Sequence, residues 1–123
     1  MNLFSGGSIS GSKLVLDDIL IPLPQRVFPL VQNGQSVTLG VRPEAVNISA
    51  EATSTNWIQL RAEVEALESD FVHRTQTIHL RTGRWMYSGI CPLDMNLQIG
   101  QLVQAQIDPE HLYFFDAKSG LRL

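Results

Sequence analysis

One segment of this chain occurs twice. Residues Gly34-Gln35-Ser36-Val37-Thr38-Leu39-Gly40-Val41-Arg42-Pro43-Glu44-Ala45-Val46 align with Gly100-Gln101-Leu102-Val103-Gln104-Ala105-Gln106-Ile107-Asp108-Pro109-Glu110-His111-Leu112. The register, Gly34 on Gly100 and Pro43 on Pro109, is constant at 66 residues. Each copy reads as a Gly-Gln turn, an alternating strand, a Pro-Glu turn and an apolar residue. Solenoid repeats are shorter than this, so the period implies two similar β units in one body. The expected organisation is one domain, 1–123, with related halves at about 1–50 and 57–123.

A chain of 123 residues can bury one core and is short for two independent domains. With 44% hydrophobic residues it should fold rather than remain disordered. The net charge of −3 argues against a nucleic-acid partner, which calls for a basic surface. Only 17% of residues are charged, which fits a surface partly reserved for another protein. Cys91 is the single cysteine, so no intrachain disulfide can form, and a cytoplasmic location is the simple reading. The start, Met1 to Gly7, lacks the features of a signal peptide. The longest apolar run, near Ile19 to Leu23, is interrupted by Pro22 and is far short of the roughly 20 residues that span a bilayer. No direct membrane insertion is expected.

Period-2 alternation dominates the pattern. Ile58, Leu60, Ala62, Val64 and Ala66 face one way, and Gln59, Arg61, Glu63 and Glu65 the other. Val103, Ala105 and Ile107 alternate with Gln104 and Gln106. Ile78 and Leu80 alternate with Thr77, His79 and Arg81. Short strands are expected at Lys13–Leu16 and Ile19–Pro22 around Asp17-Asp18. Thr82-Gly83 should close a hairpin between the Ile78 strand and Arg84 to Cys91. Turn signals recur at Gly6-Gly7, Gly11-Ser12, Asn33-Gly34, Thr82-Gly83, Gly100-Gln101 and Ser119-Gly120. Such spacing predicts an all-β sandwich or barrel. Helix is limited to single turns at Arg42-Pro43-Glu44-Ala45 and Asp108-Pro109-Glu110-His111, with Asp108 as N-cap and Pro109 at the first helical position. Ala50 to Asn56 reads as a loop joining the two copies.

Catalytic chemistry finds no footing. His73, His79 and His111 lack metal-ligand spacing and have one cysteine for company, so no metal site is expected. Cys91, before Pro92 at the end of an apolar strand, reads as a small buried hydrophobe. There is no nucleophile elbow and no phosphate loop, so the chain alone should not be an enzyme or hydrolyse nucleotides. Trp57, Trp85, Tyr87, Tyr113, Phe114 and Phe115 could stack bases only beside basic residues. Arg74, Arg81 and Arg84 are offset by Glu63, Glu65, Glu68 and Asp70, so core packing explains the aromatics better. At the Pro-Glu turns, proline ends the ladder and the glutamate enters a first helical turn, where exposed N–H groups favour a carboxylate. Each turn is then either a corner of the barrel or an exposed contact point. Arg42, Pro43 and Glu44 at the first, and Asp108, Glu110 and His111 at the second, are the candidate interdomain or dimer contacts.

Leu39-Gly40-Val41-Arg42-Pro43-Glu44 resembles a motif in the C-terminal regulatory (TOBE) domain of ATP-binding subunits of sugar-type, maltose-importer-like ABC transporters. The ending Asp108-Pro109-Glu110, Phe115-Asp116 and Gly120-Leu121-Arg122-Leu123 is similar to the close of that domain. Met1-Asn2-Leu3-Phe4 looks like its opening, and Gly11 to Leu23 like the hairpin that follows. The departure is Glu68 to Gln76, where the family's Leu-Gly-x-Glu-Thr-like stretch is absent.

The resemblance implies an OB-fold-like, TOBE/MOP-like all-β barrel of two related halves. It also implies a non-catalytic regulatory and dimerising role in carbohydrate uptake. The partners would be the chain's own ATPase domain, a homodimer twin and, indirectly, the permease subunits. The location would be cytoplasmic, peripheral at the inner face of the membrane. No cofactor is expected in this domain; ATP and Mg²⁺ belong to the ATPase domain, whose residues are not in this chain, so a separated C-terminal fragment is expected. Self-association would be weak, about micromolar or about −8 kcal/mol. The alternative is an oxyanion- or small-metabolite-binding module, since related TOBE-type domains in molybdate systems bind their ligand.

Overall fold

Ten strands and three single 3-10 turns make up the computed structural model, which describes residues 1–49 and 57–123. The strands are β1 (Asn2–Ser10), β2 (Lys13–Leu16), β3 (Ile19–Pro22), β4 (Ser36–Val41), β5 (Val46–Ser49), β6 (Ile58–Asp70), β7 (Thr75–Thr82), β8 (Trp85–Pro92), β9 (Leu102–Ile107) and β10 (Leu112–Asp116). The fold of the described residues is all-β apart from these single turns. The segment Ala50–Asn56, read above as a loop, lies outside the described residues.

Two five-stranded sheets have the orders β10-β4-β1-β2-β3 and β5-β9-β6-β7-β8. Two compact units contain them: Met1, Leu3–Val41 and Pro109–Leu123 in the first, Asn2 and Arg42–Asp108 in the second. The repeat explains this division. Strand β4 leaves the first unit at Pro43 and continues as β5, which pairs antiparallel with β9. Strand β9 leaves the second unit at Pro109 and continues as β10, which pairs antiparallel with β4. Each sheet is therefore completed by the strand that follows the other sheet's Pro-Glu turn. The compact units accordingly cut across the chain halves.

The two copies agree in detail. Burial along β4 and along β9 follows the same order of exposed, buried and half-buried positions. Gly34 and Gly100 both take the left-handed backbone, φ 83° and 88°, which glycine adopts without strain. The Gln35 amide donates to Gln32 O at 3.0 Å, and the Gln101 amide to Gln98 O at 3.1 Å. Gly34 N donates to Ile9 O and Gly100 N to Val64 O, both at 2.7 Å. The turns thus lock onto β1 and β6 by the same bonds.

The first core gathers Phe4, Ile9, Leu14, Leu16, Ile21, Val37, Leu39, Val41, Leu112 and Phe114. The second gathers Val46, Ile48, Leu60, Ala62, Val64, Ile78, Leu80, Tyr87, Val103, Ala105 and Ile107. The strands at Lys13–Leu16 and Ile19–Pro22 fall where the alternation placed them. In β6 the buried set runs from Ile58 to Val64, and a bulge then shifts the register before Ala66, which is half-buried. In the second unit the sheet curls until its ends meet: a Cβ on Gly89 of β8 would lie 3.2 Å from Val46 O of β5.

Three expectations need correction. Gly6-Gly7 is not a turn but the middle of β1. A Cβ on Gly7 would sit 2.8 Å from Leu14 Cδ1 and 2.9 Å from Val37 O, so close packing demands the glycine. Gln106 is not on the solvent side; it is 2% exposed, while its repeat equivalent Gly40 is buried too, so this position is covered in both copies. Helical turns are not limited to the two Pro-Glu corners: Phe28–Leu30 forms a third 3-10 turn, with Pro29 near its start fixing the backbone for it.

Candidate functional site

The first Pro-Glu corner is the 3-10 turn Pro43–Ala45, entered from an extended Arg42 at φ −73°, ψ 144°. Pro43 ends the ladder because it has no N–H to give. Ala45 N donates to Arg42 O at 2.9 Å and closes the turn. Arg42 and Glu44 are exposed, and Pro43 is half-buried. The second corner is the 3-10 turn Pro109–His111, preceded by a half-buried Asp108. Glu110 and His111 are exposed. Arg42, Pro43, Glu44 and Asp108 belong to one compact unit, Glu110 and His111 to the other. Sequence reading missed Arg26, whose Nη2 donates to Leu112 O at 2.8 Å and, at 3.4 Å, to Glu110 O. Nothing local marks this arginine, because its partners lie more than 80 residues away in the chain.

Concave features among the described residues lie within single units. A polar cup of about 380 Å³ in the first unit is lined by Gln32, Asn33, Gly34, Gln35, Ser36, Asp116 and Lys118. It is built by the first Gly-Gln turn against the end of β10. Gln35 Nε2 donates to Asp116 Oδ1 at 3.2 Å, and Ser119 N donates to Asp116 Oδ2 at 2.9 Å. Hydrogen bonds from Ser119, side chain first, and from Gln35 hold the Asp116 carboxyl below the usual carboxylate range. The Lys118 charge adds to that lowering, and its ammonium lines the cup together with Gln32, Ser36 and Asn33, whose Oδ1 accepts from Gly11 N at 3.0 Å.

The second unit holds a groove of about 560 Å³ between the β6–β7 turn and the end of β8. A smaller recess of about 210 Å³ is lined by Asn2, His79, Met86, Tyr87 and Ser88. Across the outer face of β6 and β7 runs a charged row. Arg81 Nη2 donates to Glu63 Oε2 and its Nε to Glu65 Oε1, both at 2.8 Å, and His79 Nε2 lies 2.8 Å from Glu68 Oε1. The bond that Arg81 donates to Glu63, then the Glu65 and Glu63 charges, push the Arg81 guanidinium further up. These are cross-strand pairs on a wet face rather than a reaction centre.

No group of three or more His, Cys, Asp or Glu side chains among the described residues could hold a metal ion. Cys91 is buried at 5% exposure, and burial first of all pushes its thiol up, away from nucleophilic use. Trp85, Tyr87 and Phe114 are core side chains. The Arg84 guanidinium lies 3.8 Å from the centre of the Trp85 ring, a cation–π contact that covers part of that side chain. No helix of the described residues is long and apolar enough to cross a membrane.

This architecture places the chain in a structural class, the OB-like TOBE/MOP fold. Among solved structures, it is similar to the cytoplasmic molybdate-binding protein ModG in a molybdate-bound crystal form. The TM-score is 0.72 at 13% sequence identity, covering 92% of this chain and 94% of that one. No protein-family model matches the sequence, and no curated protein does. At that identity the likeness establishes the fold.

Proposed function

We propose that this chain is a non-catalytic TOBE-type module that binds an oxyanion or a small polar metabolite. The observation that carries the reading is the backbone correspondence, over nearly the whole of both chains, with a molybdate-binding protein. The polar cup supplies candidate contacts. Lys118 offers the charge, and Gln32, Asn33 and Ser36 offer neutral donors, a combination suited to a small anion. Calorimetric titration with molybdate, tungstate, sulfate and phosphate, with a neutral sugar beside them, tests it. We expect at least one oxyanion to bind with 1:1 stoichiometry. Lys118→Ala should weaken it about tenfold, the scale of one hydrogen bond to a charged group. Binding that ignores Lys118 moves the site elsewhere. No binding by any of the five removes the reading.

A second reading rests on the first corner. Gly40-Val41-Arg42-Pro43-Glu44 presents Arg42 and Glu44 at the surface, as a contact point on another domain requires. It supports a regulatory and dimerising domain of an ABC importer ATPase, peripheral at the inner face of the membrane. ATP and Mg²⁺ would be held by the ATPase domain upstream. A phosphate loop in the coding sequence ahead of Met1 would decide for it.

A further inference from the structure

The β6–β7 hairpin ends in an apolar tip. Phe71 is 77% and Val72 88% exposed. The groove beside it is lined by Phe71, Arg74, Pro92, Leu93 and Asp94. Its walls are fixed by the backbone and by one buried amide. Leu93 N donates to Arg74 O at 3.0 Å, Gln76 Nε2 donates to Pro92 O at 3.1 Å and to Met95 O at 2.6 Å, and His73 N donates to Asp70 Oδ1 at 3.1 Å. The turn holds Arg74 at φ 54°, a left-handed conformation that glycine takes without strain. Among the described residues neither the Arg74 guanidinium nor the Asp94 carboxylate has a hydrogen bond or ion pair. One patch thus carries a projecting aromatic ring, an apolar socket, an unpaired cation and an unpaired anion.

We propose that this groove is the contact face of a symmetric dimer of the chain. Phe71 of each copy enters the other copy's socket at Pro92 and Leu93, and Arg74 of each pairs with Asp94 of the other. A twofold interface needs a self-complementary surface, in which residue i meets j and j meets i. This patch has that property, since each feature is accompanied by its own complement. An acidic or a basic ligand would satisfy one of the two charges and leave the other covered and unpaired, which is costly. An anionic membrane surface would meet Asp94 and a chain of net charge −3. A second copy satisfies both charges and covers the exposed ring.

Sedimentation equilibrium from about 1 µM to about 1 mM tests the proposal. The wild-type chain should dimerise with a Kd of about 1–100 µM, as befits a small interface. Phe71→Ala should weaken the dimer at least about tenfold, since exposed aromatics anchor such contacts. Arg74→Asp and Asp94→Arg should each weaken it at least about tenfold by setting like charges face to face. The two reversals combined should return the Kd to within about threefold of wild type. Aspartate tolerates the left-handed backbone, so Arg74→Asp preserves the turn. A monomer at the highest concentration, a dimer indifferent to Phe71→Ala, or a double variant no tighter than the singles would each overturn the proposal. Oxyanion titration reads the other unit, so either conclusion can fail without the other.

Discussion

Gly7 and Gly40 separate what glycine does by conformation from what it does by size. Neither has the left-handed backbone, yet both are buried and crowded. A Cβ on Gly7 meets the Val37 carbonyl at 2.9 Å, which is main chain and cannot step aside. A Cβ on Gly40 meets Met1 Sδ at 2.6 Å and Phe115 Cε2 at 2.9 Å, both side-chain atoms able to move. Gly7→Ala should therefore cost about 2–3 kcal/mol in urea unfolding, and Gly40→Ala about 1 kcal/mol. Equal costs would mean that β1 can shift away from β4. Arg74→Gly should do the reverse, gaining up to about 1 kcal/mol by relieving the left-handed arginine while weakening the dimer contact. Burial pushes the Tyr87 phenol up from 10.0 to about 12, against a smaller opposing hydrogen bond from Thr82. The folded chain holds this proton more tightly than the unfolded one does, so stability is intact below pH 10 and declines as pH rises from 10 toward 12. Alkaline titration of phenolate absorbance should show one tyrosine ionising near pH 12, and Tyr87→Phe should remove that step. At this scale the sequence was only partly legible. Alternation found the buried Ile78 and Leu80, but the demand for Gly7 comes from Leu14 and Val37, and no local pattern carries it.

Between residue and molecule stands the turn that opens each repeat. Gln35 Oε1 accepts from Gln32 N at 2.9 Å, and Gln101 Oε1 accepts from Gln98 N at 3.0 Å. The same side chain ties the same loop in both copies, which explains why Gly-Gln recurs at a fixed offset. The copies differ in one respect: Gln35 also donates to Asp116. Gln101→Ala should cost about 1 kcal/mol, and Gln35→Ala about 1.5–2 kcal/mol because a charge-assisted bond goes with it. A Gln35→Ala variant no worse than Gln101→Ala in chemical denaturation would show that the Asp116 bond adds nothing. Elements were where the sequence spoke most clearly. Strands β2, β3, β4, β6, β7, β8 and β9, the single turns at Pro43 and Pro109, and the hairpin at Asp17-Asp18 stand where period-2 alternation and turn chemistry put them, whereas β5 and β10 are strands the pattern did not assign. The fused strand β1 was missed because Gly6 and Gly7 are ordinarily punctuation. The groove at Phe71 was missed because Pro92 and Leu93 reach it only through the β7–β8 pairing, some 20 residues along the chain.

The molecule as a whole is governed by the exchange of β5 and β10. A repeat of this length could have given two sheets, each built from one half of the chain. Instead the Pro-Glu corners send each half's last strand into the other sheet, so Val46 and Ile48 fill the core built on β9, and Leu112 and Phe114 fill the core built on β4. This was not readable from the repeat, since equivalent segments pair equally well within or across copies; only the path taken at Pro43 and Pro109 decides. The exchange has an energetic consequence. Unfolding either sheet frees the anchored end of an edge strand in the other, β5 or β10, and fraying of that strand exposes two buried apolar side chains at about 1.5–3 kcal/mol each. A loss of that size is a large part of the stability of a chain this small. Neither unit should then survive the loss of the other, and urea unfolding should be one cooperative step. Trp57 and Trp85 both report from the unit that contains β6 to β9, whereas far-ultraviolet circular dichroism reports from both sheets. Coincident midpoints and slopes by the two signals are expected, and Leu112→Ala, which lies outside the tryptophan-bearing unit, should shift both together. If Leu112→Ala lowers only the dichroism midpoint and leaves tryptophan fluorescence where it was, the exchanged strands do not couple the units, and two separately stable sheets must replace the cooperative account.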